Sequence, residues 1–228
     1  MNRLYLVSNS IGNDADIPPR TKTLLEEADW ILGEEQRTTS TFLKKLGIAK
    51  PFDLLNEHSS RKDMDEIAMK LATTKRTCLI SDSGSPGLED PGKWLVPLAW
   101  EMGVEVRSAP GPTALIAALT SSGFATSPFL FLGFLPREEK ERERTLKQYI
   151  GLGVTIAFYE TAYRTKHCLE TLAKILPGDR QIFLALGISM ANETSFRGSA
   201  KEIHKKFPPG LKLPPVFVIE DKKERPKR

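Results

Sequence analysis

The sequence predicts an α/β protein with two domains, and three observations support this prediction. Short β-type runs alternate with helical patterns in the first half of the chain, which is typical of parallel strands joined by helical crossovers. The segment Ser121-Ser122-Gly123 is the clearest boundary signal, and the order of elements changes beyond it. The 228 residues, 40% hydrophobic and 27% charged, suit one or two soluble domains with buried cores and exclude disordered, collagen-like and disulfide-scaffold proteins. We therefore expect domains over residues 1–122 and 123–221, followed by a basic segment at 222–228.

The first domain is predicted to be an open, mostly parallel sheet with helices between its strands. Apolar and β-branched runs predict the strands, and apolar residues three or four positions apart predict the helices. The predicted strands span residues 4–7, 30–32, 52–55, 77–80 and 104–106. The predicted helices span residues 21–28, 64–71, 91–102 and 113–120, with a further helix through residues 42–46 that ends at Gly47.

The second domain is predicted to have strands at residues 129–132, 154–159, 181–186, 195–197 and 216–219, with helices at 137–150 and 163–176. The first of these helices is highly charged, and its pairs Glu138–Arg142 and Glu143–Lys147 have the four-residue spacing of favourable ion pairs. Because its charges nearly balance, we expect a solvated face there and not a nucleic-acid surface.

The net charge of +4 comes from one end of the chain. Residues 222–228 contain five basic residues and one acidic residue, and the remainder of the chain contains 28 of each. The sequence pI near 9.0 is therefore not evidence for a nucleic-acid-binding body, because phosphate binding requires clustered lysine and arginine.

Cysteine and histidine usage argues against disulfide and metal sites. Cys78 and Cys168 are isolated from each other in sequence, and the three histidines lie far apart without partners at helical spacing. The sequence does not open with a signal-peptide pattern, and its longest apolar run, residues 114–119, is far shorter than the roughly 20 residues that span a bilayer. We therefore expect a cytoplasmic protein that binds no metal.

Three turns follow strands of the first domain, at residues 8–14, 81–92 and 109–114, and the second and third are rich in glycine and proline. Ligands of open α/β sheets bind beyond the carboxyl ends of the strands. Asp90 before Pro91 also predicts a helix N-cap followed by proline, which accounts for the end of the second turn but not for its length. A loop this long and this rich in glycine inside a compact domain is usually functional.

The common nucleotide and hydrolase motifs are missing from these turns. The first turn lacks the G-x-G-x-x-G pattern of dinucleotide binding, and the chain contains neither a Walker A loop nor a G-x-S-x-G nucleophile elbow. The sequence therefore disfavours NAD, ATP and α/β-hydrolase chemistry.

The turns and several later motifs together resemble one family. They include Ser-Asp-x-Gly-x-Pro-Gly-x-x-Asp-Pro-Gly at 81–92, Pro-Gly-Pro-Thr-Ala at 110–114, Gly-Phe-Leu-Pro at 133–136 and Phe-Tyr-Glu-Thr-x-Tyr-Arg at 158–164. In this order they resemble the tetrapyrrole methylase superfamily, the class III S-adenosylmethionine-dependent methyltransferases, and most closely its ribosomal small-subunit methyltransferase I branch. The likeness extends to about residue 220.

The resemblance implies a fold, a cofactor and a set of site residues. The implied fold has a mostly parallel, Rossmann-like N-terminal sheet and a mixed sheet in the C-terminal domain. The implied cofactor is S-adenosylmethionine, which would lie in the cleft between the domains, and S-adenosylhomocysteine is the implied product. The resemblance also implies a homodimer. The implied cofactor-binding residues are Asp82, Gly84, Ser85, Pro86, Gly87, Leu88, Pro112, Thr113, Ala114, Leu132, Ala185, Leu186 and Gly187. The implied substrate-facing residues are Asn13, Glu35, Arg37, His58, Tyr159 and Arg164, with Glu34 as a candidate catalytic base or orienting residue. Core packing is an equal alternative for the apolar positions, and an ion pair between domains or subunits is an equal alternative for Glu34 and Arg37.

One departure from the family pattern leaves the acceptor open. Residues 186–190, Leu-Gly-Ile-Ser-Met, stand where the RNA-modifying branch carries Arg-Glu-aliphatic-Thr-Lys. Three hypotheses follow: methylation of a ribose 2′-oxygen in 16S ribosomal RNA, methylation of a small molecule by the same fold, or a cofactor-binding protein that has lost catalysis. The motif order favours the first, while the neutral body and the lost charges favour the second.

Overall fold

A computed structural model describes residues 1–56, 61–90 and 92–221. The predicted substrate residue His58, the residue Pro91 and the basic segment 222–228 lie outside the described residues. The chain divides into two compact units, of which the second begins at Ala114. No helix among the described residues is long and apolar enough to cross a membrane.

The first unit contains a five-stranded sheet in which every strand pair is parallel. Its elements are β1 (Arg3–Val7), α1 (Pro19–Glu27), β2 (Trp30–Gly33), α2 (Gln36–Lys45), β3 (Asp53–Leu54), α3 (Arg61–Thr73), β4 (Arg76–Ile80), α4 (Gly92–Glu101) and β5 (Glu105–Ala109). The strand order is β3-β2-β4-β1-β5. The chain leaves β2 toward one edge of the sheet and leaves β4 toward the other, so these two neighbours form a topological switch point, where ligands of such sheets bind.

The second unit contains a mixed sheet. Its elements are α5 (Ala114–Ser122), β6 (Phe129–Phe134), α6 (Glu139–Ile150), β7 (Thr155–Tyr159), α7 (Thr165–Ile175), β8 (Gln181–Leu186), β9 (Thr194–Ser199), α8 (Ala200–Lys206) and β10 (Pro215–Ile219). The strand order is β6-β7-β10-β8-β9, with β6 and β7 parallel and the other pairs antiparallel. The predicted fold class, with a parallel sheet and then a mixed one, is confirmed.

Both sheets are covered on both faces, which explains their nearly continuous apolar strands. Leu4 and Val7 of β1 are fully buried in two different hydrophobic clusters, one on each face of the first sheet. In β10, Val216 and Val218 face one cluster while Phe217 and Ile219 face the other. The β10 strand therefore forms the centre of the second unit.

Helix α5 packs within the second unit, although the sequence analysis placed it in the first domain. Its residues Leu115, Ala118 and Leu119 are buried in the same cluster as Val216 and Val218 of β10. The compact unit begins at Ala114, nine residues before the predicted start of the second domain at residue 123, and the predicted boundary at residue 122 falls at the end of this helix.

Helix α6 differs from its predicted ion-pair pattern at one position. Glu143 and Lys147 pair at 3.5 Å, as predicted. Arg142 is only 4% exposed, and its guanidinium donates to the Thr171 hydroxyl and to the carbonyl of Arg137. Glu138 caps the helix by accepting from the backbone N–H of Glu141, so the predicted Glu138–Arg142 surface pair is wrong: the arginine points into the unit.

Candidate functional site

Four loops of the first unit meet at the carboxyl edge of its parallel sheet, because they follow the neighbouring strands β2, β4, β1 and β5. Three of them are the turns that the sequence analysis selected, and the fourth begins with Glu34. The other three loops hold the loop at residues 81–90 in place.

The loop after β1 binds the 81–90 loop through backbone and side-chain hydrogen bonds. The backbone N–H of Asn9 donates to the Gly84 carbonyl at 2.9 Å, and the Gly84 N–H donates to the Ser10 carbonyl at 3.3 Å. The Asn9 side-chain amide donates to the carbonyl oxygen of Asp82 at 3.1 Å. Asn9 is 6% exposed, so this buried amide fixes the backbone of the loop.

The loop after β5 approaches so closely that it requires glycine. A Cβ atom at Gly111 would lie 2.5 Å from the Cβ of Ser8, closer than real atoms approach. The Ser8 hydroxyl lies 2.8 Å from the Ser85 hydroxyl and donates to the Ala109 carbonyl at 3.1 Å. The two serines thus join three of the loops.

Gly84 lies at the centre of this arrangement. Its φ of +72° is in the left-handed region that favours glycine, and an added Cβ would lie 3.1 Å from both the Ile11 side chain and the Pro112 carbonyl oxygen. Backbone conformation and close packing therefore both select glycine at this position.

Asp90 closes the far end of the loop. Its carboxylate accepts hydrogen bonds from the backbone N–H of Gly87, at 2.8 Å to the nearer oxygen, and from that of Gly92 at 2.8 Å. The predicted capping by Asp90 is thus seen at Gly92, the first residue of α4. The additional bond to Gly87 makes Asp90 a brace of the loop as well.

Two buried polar atoms at this edge lack partners. Asp82 Oδ1 and Thr113 Oγ1 are buried, and neither has a hydrogen-bond partner within the described parts of the chain. Burial raises the pKa of the Asp82 carboxyl above its ordinary value, a hydrogen bond from the Glu35 backbone opposes the rise, and the Glu35 charge adds to it. Unpaired buried polar groups are costly, so both atoms indicate a ligand that pairs with them.

Glu34 is partly buried beside Asp82. Its Oε2 atom accepts a hydrogen bond from the Asp82 backbone N–H at 3.1 Å. The structure thus joins the carboxylate of the candidate catalytic residue to the backbone N–H of the strongest cofactor-binding candidate.

The predicted substrate residues of the first unit have local structural contacts. Glu35 caps α2 by accepting from the backbone N–H groups of Arg37 and Thr38 at 2.9 and 2.7 Å, and these bonds lower the pKa of its carboxyl. Asn13 caps a 3₁₀ turn by accepting from the Ala15 N–H at 3.0 Å. Both side chains and that of Arg37 are exposed, and their contact with substrate stays a prediction.

The predicted cofactor residues of the second unit are mostly core residues. Ala185 and Leu186 are 3% and 0% exposed and face opposite hydrophobic clusters. Leu132 packs partly buried against the larger cluster, and Gly187 has a φ of +61°. Because both side chains are buried in the core, a cofactor contact at residues 185 and 186 would use their backbone atoms. That contact stays a prediction.

Tyr159 and Arg164 flank a buried carboxylate that the sequence analysis did not select. The side chain of Glu160 is fully buried, and its Oε1 atom lies 2.6 Å from the Nη2 atom of Arg164, whose side chain is 22% exposed. Tyr159 packs edge-on against Phe131, with ring centroids 5.0 Å apart. The four-residue spacing of Glu160 and Arg164 was the available signal, but that spacing does not distinguish a buried pair from a surface pair.

The loops of the first unit fit S-adenosylmethionine, the cofactor that the resemblance implies. This molecule carries a sulfonium, an ammonium and a carboxylate group. The Asp82 carboxylate oxygen that has no partner in the described parts of the chain suits a cationic group, while the fixed loop backbone and the Thr113 hydroxyl offer neutral donors and acceptors. No cluster of three or more potential metal ligands occurs in residues 1–56, 61–90 and 92–221.

Comparison with known proteins identifies the family. The family model for tetrapyrrole (corrin/porphyrin) methylases matches residues 3–204. Ribosomal RNA small subunit methyltransferase I of Leptospira borgpetersenii serovar Hardjo-bovis (strain L550) is 44% identical over 225 residues, covering 97% of this chain and 89% of that protein. The protein of the same name from Thermotoga maritima is 38% identical over 224 residues, covering 98% of this chain and all of that protein.

Two solved structures share the fold. The methyltransferase CobJ superimposes with a TM-score of 0.68 at 17% identity, covering 100% of this chain and 98% of its own. Uroporphyrin-III-C-methyltransferase from Thermus thermophilus gives a TM-score of 0.60 at 16% identity, covering 96% and 94%. With the family match and the curated relatives, the resemblance seen in the sequence is confirmed: the chain belongs to the tetrapyrrole (corrin/porphyrin) methylase family and is an S-adenosylmethionine-dependent methyltransferase.

Proposed function

We propose that this methyltransferase acts on RNA of the small ribosomal subunit and methylates a ribose 2′-oxygen. The observation that carries the proposal is the identity of 44% and 38% to two proteins named ribosomal RNA small subunit methyltransferase I, each over nearly the whole of this chain. The proposal also includes a homodimer in the cytoplasm, which rests on the family resemblance.

The proposed reaction requires mainly positioning. When bound, S-adenosylmethionine supplies an electrophilic methyl group on sulfur, and transfer to an oxygen is an in-line displacement. The protein's part is to hold the acceptor at the angle and distance of attack. A ribose hydroxyl must also lose its proton, so a carboxylate or another acceptor near that hydroxyl would assist.

We assign Glu34 the role of an orienting residue in this scheme. Its carboxylate bonds to the backbone of the 81–90 loop, which is the loop proposed to hold the cofactor. This assignment explains why a partly buried carboxylate stands at the switch point between β2 and β4. The other role left open by the sequence is that of a general base, and the two roles make different predictions for a glutamine substitution.

A second candidate acceptor is a small molecule. The segment after β8 lacks the charged residues expected of the RNA-modifying branch. In this chain Ser189 adopts a φ of +68°, and its backbone N–H donates to the Glu193 carboxylate at 2.6 Å. The acidic residue of this turn is Glu193, which the sequence retains from the family pattern, so the specific observation that favours an altered acceptor is the loss of the charged residues at 186–190.

The acceptor can be tested by methyl transfer with purified protein. Tritiated S-adenosylmethionine is incubated with small ribosomal subunits from cells that lack the enzyme, and in parallel with uroporphyrinogen III. The proposal predicts label in subunit RNA, recovered after nuclease digestion as a 2′-O-methylated nucleoside. Label in the tetrapyrrole alone would replace the proposal with the second candidate, and label on a base would correct the acceptor atom.

A further inference from the structure

Tyr163 presents its ring to solvent at the tip of the turn between β7 and α7. Tyr163 is 77% exposed. The methyl-transfer chemistry uses no group at this position. Single exposed apolar residues are ordinary on protein surfaces, so a function for this ring requires specific groups around it.

The turn that carries Tyr163 is closed by a buried ion pair. Glu160 Oε1 accepts from the Thr161 backbone N–H at 2.6 Å and lies 2.6 Å from Arg164 Nη2. The Arg164 N–H in turn donates to the Thr161 carbonyl at 3.0 Å. Charge-assisted bonds to a fully buried carboxylate fix the turn, so Tyr163 stands outward from a rigid base.

One lysine lies beside the ring, and neither it nor a second exposed lysine nearby in sequence has an acidic partner among the described residues. The Nζ atom of Lys212 lies 5.1 Å from the centroid of the Tyr163 ring, within the range of a cation–π contact. Lys166, three residues further along in the first turn of α7, is also exposed. Neither lysine pairs with a carboxylate among the described residues, whereas Glu160 is already neutralised by Arg164.

A second exposed ring lies at the same edge of this sheet. Phe134, at the end of β6, is 48% exposed, and its register partner across the parallel pair is Tyr159. The ring centroids of Phe134 and Tyr159 are 5.6 Å apart. This edge of the sheet therefore presents two exposed rings: Phe134, the last residue of β6, and Tyr163, which follows the end of β7.

We infer that this edge of the second unit binds single-stranded RNA, with a base stacked on Tyr163 and the Lys212 ammonium beside the phosphate backbone. Exposed aromatic rings combined with unpaired cations are the recurring means of binding single-stranded nucleic acid. Exposed rings alone would also suit a protein partner, since Tyr and Phe are enriched at protein–protein interfaces, but the lysines favour RNA because lysine is depleted from such interfaces. The inference rests on the proposed RNA substrate and adds where the RNA is held.

Fluorescence anisotropy with a short, fluorescein-labelled single-stranded RNA tests the inference on the full chain. Tyr163→Ala should weaken binding by about tenfold, and Tyr163→Phe, which keeps the ring, should bind like the unmodified protein. Lys212→Ala should reduce the slope of log affinity against log salt by about 0.7, as expected for one lost phosphate contact. Lys201→Ala, an exposed lysine on α8, is the matched control and should leave the slope unchanged.

Wild-type affinity in Tyr163→Ala would overturn the inference. A change in oligomeric state by light scattering with unchanged RNA affinity would assign the ring to a protein contact and also overturn it. The proposed function is judged separately, by whether the unmodified protein methylates small-subunit RNA. Methylation that persists at full rate and affinity in Tyr163→Ala would therefore reject this binding edge and leave the proposed function standing.

Discussion

The Glu34 carboxylate accepts a hydrogen bond from the backbone N–H of Asp82, at 3.1 Å. The two residues follow β2 and β4, which are neighbours in the sheet but lead the chain toward opposite edges. The bond therefore connects the two loops that border the switch point. The bond involves only the backbone of Asp82. The side-chain atom Oδ1 of Asp82 has no partner in the described residues and can therefore bind a ligand.

Substitutions at Glu34 should separate an orienting role from a basic one. Glu34→Gln keeps a carbonyl oxygen that can accept from the Asp82 N–H, so we expect near wild-type cofactor affinity and an unchanged pH dependence of the rate. Glu34→Ala loses a bond to a charged group, worth about 1.5–3 kcal/mol, and should weaken cofactor binding by about tenfold or more. Calorimetric titration and rate–pH profiles measure both. A large fall in rate for Glu34→Gln at unchanged affinity would instead identify Glu34 as the base.

Asp82 should make stability and cofactor binding depend on pH in opposite senses. Burial raises the pKa of its carboxyl in the folded protein above the unfolded value. Its contribution to the stability of the cofactor-free protein is therefore greatest at low pH and declines as pH rises from the unfolded pKa through the folded pKa. Cofactor affinity should rise over the same window, because the ionised carboxylate pairs with a cationic group.

Asp82→Asn should remove both dependences. We expect the cofactor-free variant to melt at neutral pH no lower than the unmodified protein, and to bind S-adenosylmethionine about tenfold more weakly. Thermal denaturation across pH, with and without cofactor, measures both effects. Asp179→Asn, an exposed position in the second unit, is the control. Unchanged cofactor affinity in Asp82→Asn would exclude Asp82 from the cofactor site.

The two cysteines should be unreactive while the protein is folded. Cys78 and Cys168 are both fully buried, and burial raises the pKa of the Cys78 thiol to about 12 and that of Cys168 well above its usual range. Because the thiolate is the reactive form, we expect no labelling by a thiol reagent in buffer and labelling of both residues in denaturant. Rapid labelling of either cysteine in the native protein, followed by mass spectrometry, would show that its cluster opens readily.

The sequence predicted where helices and strands lie better than it predicted which sheet each helix packs against. Periodicity located α5 because Leu115, Ala118 and Leu119 form one apolar face, but periodicity does not say which sheet that face meets. The helix α8 begins with a capping box between Ser199 and Glu202, a signal present in the sequence to which no helix bounds were assigned.

In the candidate site, residues that belong to a motif could likewise be found from the sequence, whereas residues that matter because they are buried could not. Motif resemblance selected Asp82 and Gly84 because their loop carries a recognisable residue pattern. It did not select Asn9 or Glu160, because their importance depends on burial. Asparagine and Glu–Arg pairs are usually exposed to solvent, so only the structure shows that these side chains are buried.

We propose that the fixed backbone of the 81–90 loop holds the cofactor, and two glycine substitutions test this proposal. Gly84 and Gly47 have nearly identical φ values, +72° and +73°, so alanine at either position incurs a similar backbone penalty of about 1–2 kcal/mol. Only at Gly84 does the added Cβ also press on Ile11 and Pro112; at Gly47 it meets nothing within 4 Å among the described residues.

Calorimetric titration of S-adenosylmethionine into the unmodified protein and these two variants, each checked for folding by circular dichroism, is the deciding measurement. We predict binding in the unmodified protein and in Gly47→Ala, and a loss of about tenfold or more in Gly84→Ala. Folded Gly84→Ala that binds the cofactor as tightly as Gly47→Ala would contradict the account.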